Sequence, residues 1–125
     1  MVKVAAKRRS GLTHDVEIEG GHGLVFDEPL ESGGNDKGPS PVRVLGASLA
    51  ACTAITMEMY AERKDWDLGA VEVEVEIEYD RHTPKSFTVR LGLPDGLDDE
   101  QRERLRIIAG KCPVHKSLSV PVTIV

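Results

Sequence analysis

The sequence predicts an α+β fold in the order β-β-β-α-β-β-α-β, and three patterns predict it. Val71, Val73, Val75, Ile77 and Tyr79 alternate with Glu72, Glu74, Glu76 and Glu78, the period of a half-buried antiparallel strand. Ser40-Pro41 opens a long apolar segment, with a hydroxyl suited to an N-cap and a proline whose missing N–H costs nothing at the first helical position. The first 27 residues hold short, loosely alternating runs separated by Ser10-Gly11 and Gly20-Gly21, which reads as strands joined by turns.

In chain order, strands are expected at Val2–Lys7, Thr13–Glu19 and His22–Asp27. Pro29–Pro39 is rich in Ser, Gly, Asn and Asp and is expected to be a loop. The helix from Pro41 should reach about Lys64. Its middle, from Val44 to Ile55, is apolar nearly all round, so burial on every side is expected. Gly46, Ala47, Ser48, Ala50 and Ala51 leave room for a second backbone. After Val71–Tyr79 and a turn at His82-Thr83-Pro84, a strand is expected over Ser86–Leu93. Asp98-Asp99-Glu100 places acids at the positive end of a second helix, which Gly110 and Pro113 end. Val120–Val125 is expected to be the last strand. A helix buried all round is hard to wrap in 125 residues, so an intertwined homodimer is expected. The whole chain, residues 1–125, reads as one domain.

Composition excludes several function classes. The formal net charge is -5, without the basic excess that phosphate neutralisation requires, so no nucleic-acid partner is expected. Val44–Met59 is interrupted by Ser48, Thr53, Thr56 and Glu58 and is read as too short and polar to cross a membrane. No long apolar run follows Met1-Val2-Lys3, so no secretory leader is expected and the cytoplasm is the expected location. There thiols stay reduced. Two cysteines without C-x-x-C spacing make a poor zinc site, and no other cofactor motif is present. The four glutamates read as a solvated face.

The residues with chemistry are few. Cys52 sits mid-helix, where a free thiol is commonly a small buried hydrophobe; reactivity requires a nearby cation or hydrogen-bond donor. Cys112 lies among Lys111, His115 and Lys116, where cations favour thiolate while the end of the preceding helix opposes it. Either a reactive or an inert surface thiol fits. His115 is the one histidine near a cysteine in sequence and could act as a base. His14, His22 and His82 show no ligand spacing.

The segments GPSPVRVLGASLAACTAITMEMYAERKDW, VEVEVEIEYD and KCPVHKSL resemble the OsmC/Ohr family, and in particular a branch with a C-P-V-H motif. The resemblance spans nearly the whole chain. It implies antiparallel sheets wrapped around central helices in an intertwined homodimer, with active sites at the interface. It further implies a thiol-dependent peroxide reductase, in which Cys52 attacks the O–O bond and becomes a sulfenic acid and Cys112 condenses with it to a disulfide. An external dithiol or lipoyl group would restore both thiols. The family also holds the thiolate with an Arg and a Glu. Arg9 matches the Arg best, with Arg8 as its rival. At the Glu position this chain has Val42 and Arg43, without a carboxylate. Two other readings stay open: an OsmC-like fold that binds small molecules or partners without efficient peroxidase activity, and sulfur or acyl transfer with His115 as base.

Overall fold

Strand β1 (Val4–Ser10) turns through Gly11-Leu12 into β2 (Thr13–Ile18), which turns through Gly20-Gly21 into β3 (His22–Phe26). The computed structural model describes all 125 residues, and they form two compact units, Met1–Leu45 and Gly46–Val125. In the first unit β1, β2 and β3 make an antiparallel sheet with β2 central. Gly20 and Gly21 have φ of 112° and 91°, left-handed values that favour glycine. The first strand lies two to three residues later than the alternation suggested. The register slips between Arg8 and Ser10, so a bulge absorbs one residue there and the strand carries on to the turn.

The expected loop after β3 is ordered around one carboxylate. Asp27 is 2% exposed. It accepts the Thr13 hydroxyl at 2.7 Å and the backbone N–H groups of Glu28 at 2.7 Å, Asn35 at 3.3 Å and Lys37 at 3.2 Å. A single 3-10 turn, Leu30–Ser32, lies inside the loop. Gly34 is buried, and a methyl group there would run into the backbone carbonyl of Glu28. The alternation of this region showed Asp27 only as the end of a strand; its role comes from donors eight and ten residues downstream.

Helix α1 (Pro41–Arg63) begins after Ser40 as expected. It ends where Asp65 takes φ of 55°, with Asp65 N–H donating to Glu62 O at 3.1 Å and Trp66 N–H to Ala61 O at 2.9 Å, a Schellman closure. By length and composition this helix could cross a membrane, contrary to the reading of Val44–Met59 as too short and polar, because helical residues continue on both sides of that run. Here it is a core helix. Its buried positions are Gly46, Leu49, Thr53, Met57 and Ala61, one stripe at steps of three and four. Burial on all sides does not occur within the single chain: Ile55 is 53% and Met59 60% exposed. One chain has apolar surface enough to cover one face only.

In the second unit β4 (Glu72–Asp80) pairs antiparallel with β5 (Thr83–Gly92). Val73, Val75 and Ile77 are half-buried and the glutamates face solvent, while Tyr79, expected inward, is 41% exposed. Tyr79 lies near the hairpin end of β4, where the register slips at Glu78/Tyr79. The turn is Arg81-His82, with Arg81 at φ 59°, and Pro84 lies inside β5, opposite Tyr79 at this irregularity. Proline is tolerated at such edge bulges. Gly46 admits the sheet, since a methyl group there would lie 2.8 Å from Ile77 Cδ1.

Helix α2 (Asp99–Ala109) is capped reciprocally, with Asp98 accepting from Gln101 N–H at 2.7 Å and Gln101 accepting from Asp98 N–H at 3.0 Å. Its buried Leu105 and Ala109 join Met57, Ala61 and Leu68 in the core, flanked by Trp66, Val73 and Leu91. A short helix α3 (Pro113–Ser117) follows, which the sequence reading missed. The expected strand Val120–Val125 is irregular and exposed, with Val122 at 89% and Ile124 at 95%. Within the chain it has no strand to pair with.

The four donors on Asp27, the Thr13 hydroxyl foremost, hold its carboxyl down at about 2 against the opposing effect of burial. A depressed carboxyl stabilises the fold above the ordinary carboxylate range, and that stability is lost as pH falls from about 4 through about 2. Asp27→Asn should therefore lower the melting temperature by several degrees at neutral pH. The difference from the parent should vanish near pH 2 in thermal unfolding followed by circular dichroism.

Candidate active site

Two thiols that are remote in sequence are neighbours in the second unit. Cys52 lies at the border of the buried stripe of α1 and is half-buried. The next residue, Thr53, is 2% exposed. Cys112 is fully buried, at 0% exposure, and is the N-cap of α3, with Pro113 in the first helical turn. The groups that favour ionisation of the Cys112 thiol are the Cys52 thiol, the Thr53 hydroxyl and the backbone N–H groups of His115 and Val114, and none of them closes a hydrogen bond on its sulfur. Sulfur is a weak and long-range acceptor, so it gathers several such donors more readily than one short one.

Opposing effects act on this sulfur. Burial pushes the Cys112 thiol up. The Cys52 thiol and then the donors of His115, Thr53 and Val114 outweigh it, leaving Cys112 below the ordinary thiol value. The contribution of His115 is its backbone N–H; its side chain is exposed. Thr53 has one proton to give. Its hydroxyl donates to the Leu49 carbonyl at 2.7 Å, and turning it to the sulfur gives up that bond.

A cavity of about 430 Å³ in the same unit is lined by Thr53, Val89, Leu91, Arg90, Arg106 and His115 among others, and by neither cysteine. Arg90 is paired to Glu76, Nε to Oε1 at 2.8 Å, and Arg106 to Glu103 more loosely at 3.6 Å. No carboxylate lines the cavity. No group of three His, Cys, Asp or Glu side chains gathers to hold a metal ion.

The cationic candidates lie in the first unit. Arg9, at the β1 bulge, directs Nε to Asp15 Oδ2 at 3.1 Å across the hairpin, and the pairing raises the guanidinium and lowers the Asp15 carboxyl. Arg8 donates to the Gly11 carbonyl at 2.8 Å. Arg43 is exposed near the start of α1, and Val42 beside it is half-buried. Both hairpin arginines thus have local acceptors. Sequence reasoning missed Thr53 and the two backbone donors. The signal for the latter was available, since a residue followed by proline after a helix stop can be an N-cap with Pro at N1.

The family model described as OsmC-like protein matches residues 34–125. The chain belongs to the OsmC-like protein family. Solved structures of OsmC and Ohr proteins share its fold. An OsmC-like protein from Mycoplasma pneumoniae is 16% identical, with a TM-score of 0.80 over 94% of this chain and 86% of the other. An organic hydroperoxide resistance protein OsmC from Legionella pneumophila is 23% identical, with a TM-score of 0.68 over 95% and 89%. The organic hydroperoxide resistance protein OhrB of Bacillus subtilis is also 23% identical, with a TM-score of 0.64 over 95% and 90%. At these identities the likeness carries the fold. No curated protein sequence matches the chain.

A disulfide between Cys52 and Cys112 requires their sulfurs to approach to about 2 Å. Treating the reduced, folded protein with a thiol-specific oxidant such as diamide should close one intramolecular disulfide, read as a two-hydrogen mass loss with both cysteines protected from alkylation. Oxidation that yields only mixed or intermolecular products would place the sulfurs apart.

Proposed function

We propose that this protein is a thiol-dependent hydroperoxide reductase of the two-cysteine kind, working as a homodimer in a reducing, cytoplasmic compartment. The observation that carries the reading is the influence of the Cys52 thiol on the buried Cys112 thiol, which it helps to hold below the ordinary thiol value. The half-buried Cys52 is the sulfur a peroxide can reach, and the buried Cys112 is the one placed to close the disulfide. Cys52 takes the terminal oxygen of the hydroperoxide and the alcohol leaves. Cys112 then displaces hydroxide from the sulfenic acid, and an external dithiol or lipoyl group reduces the resulting disulfide by exchange. Organic hydroperoxides are favoured as substrates because fold relatives carry organic hydroperoxide resistance in their names. Arg9 is kept as the candidate thiolate-stabilising cation on the family resemblance alone; within its own unit it is paired with Asp15.

The dimer is supported by apolar surface left uncovered. Ile55 and Met59 on α1 and Val122 and Ile124 at the C-terminus are more than half exposed, an arrangement that soluble chains cover with a partner. The uncovered α1 face and the unpaired terminal segment fit the isologous contacts of a twofold pair.

One observation favours the alternative of a fold kept for binding: Val42 and Arg43 stand where the family resemblance places a carboxylate. The two readings part on turnover. With an organic hydroperoxide and a dithiol, the protein should consume peroxide catalytically, and Cys52→Ser should reduce this to the rate of buffer. A folded wild-type protein that consumes no peroxide would leave only the binding role. By sedimentation the protein should have twice the mass of one chain, and Ile55→Glu should shift it towards the monomer.

A further inference from the structure

We propose that the cavity bordered by β5, α2 and α3 binds a small aliphatic monocarboxylate, at a site separate from the two thiols. Neither cysteine lines this cavity, so the inference goes beyond the reductase reading and does not depend on it.

Charge points to an anion. The chain carries a formal net charge of -5. Yet the charged and titratable side chains lining this cavity of about 430 Å³ are Arg90 on β5, Arg106 on α2 and His115 on α3, without a carboxylate among them. Each arginine has an acid beside it that stands outside the lining. Glu76 accepts Arg90 Nε at 2.8 Å and Nη2 at 3.4 Å, and Glu103 lies 3.6 Å from Arg106 Nε. All four of these side chains are more than half exposed, and exposed pairs contribute little. A guanidinium has five N–H donors, so both arginines keep donors for a second acceptor. Arg106 also sits in the last turn of α2, where a cation suits the helix dipole. Neither that role nor the cross-strand pair of Arg90 requires the two to share a cavity with His115.

The remaining lining sets the body of the ligand. Val89, Leu91 and Ala109 supply aliphatic wall, and no aromatic ring is present to stack a base or a ring. Val89 and Leu91 are half-buried and Arg90 is exposed, the two faces of one strand. Within the chain β5 pairs only with β4, and the cavity reaches round its free edge. A ligand there meets carbon and charge together, in a volume usual for small-molecule sites. A carboxylate matches the fork of an arginine in a bidentate pair. A phosphate matches it too, with more charge. Ala109 and Gly110 bring the negative end of α2 to the cavity, which penalises a second negative charge. The single charge of a carboxylate is the better fit.

The test is titration of the reduced full-length protein with octanoate, followed by amide chemical shifts in isotope-labelled protein. Binding should saturate with a Kd of about 1 mM or below, as ordinary ligand efficiency allows for this size. The amides of Arg90, Leu91, Gly110 and His115 should move. Octanol, with the same chain and no charge, should bind about tenfold more weakly, the worth of a charge-assisted hydrogen bond. Arg90→Gln and Arg106→Gln should each cost a similar factor, and Arg63→Gln, outside the cavity, should cost nothing. Glu76→Gln, which releases Arg90, should tighten binding several-fold, a gain that a purely structural Arg90–Glu76 pair would not give. Equal binding of octanoate and octanol, shifts confined to the β1–β3 sheet, full affinity in both arginine variants, or no saturation at all overturns the proposal. Octyl phosphate binding markedly tighter than octanoate overturns the choice of a carboxylate. No readout uses peroxide, so absence of turnover would sink the reductase reading and leave this site standing.

Discussion

The proposed chemistry depends on one constraint, that a thiol in the middle of a long helix and a thiol at the N-cap of a short one be close enough for one to favour ionisation of the other. The fold brings them together by packing rather than by local sequence. The buried stripe of α1 runs through Leu49, Thr53 and Met57 and meets the core that α2 completes with Leu105 and Ala109. Gly110 then ends α2, and Pro113 starts α3 almost at once. The three residues between these helices, Gly110-Lys111-Cys112, leave Cys112 fully buried. Burial and donation oppose one another at this sulfur, and donation prevails. A thiol in hydrocarbon alone would have gone the other way.

How much of this was legible in the sequence follows from how local each signal is. The Val/Glu alternation gave β4, Ser40-Pro41 gave the start of α1, and Asp98-Asp99-Glu100 gave α2, because caps and periodicities are read within a few residues. Bulges were not legible. One residue is out of register at Arg8/Ser10 and another at Glu78/Tyr79, and such slips depend on the partner strand. Asp27 looked like the end of a strand because its donors come from across a loop. The terminal run Val120–Val125 has strand composition, yet composition without a neighbour to bond leaves it irregular. Of the site, the two cysteines were legible as candidates and the influence of one on the other was not. Thr53 gave no sign of its place, and His115 was noticed for its ring while its backbone N–H is what faces the sulfur.

The helix that carries Cys52 is also the place where the single chain is least satisfied. Its apolar character extends beyond the stripe that β4, β5 and α2 cover, and the same residues that satisfy the composition of a membrane span are left bare on the other face. The proposed second copy would bury this bare face of α1.

The most direct measurement of the central constraint is a thiolate titration of the reduced wild-type protein by ultraviolet absorbance. The Cys112 thiolate should appear below the ordinary thiol value, as a step of single amplitude. One step of double amplitude near about 8.5, the value of a free thiol, would mean that neither thiol acts on the other and would remove the basis of the account.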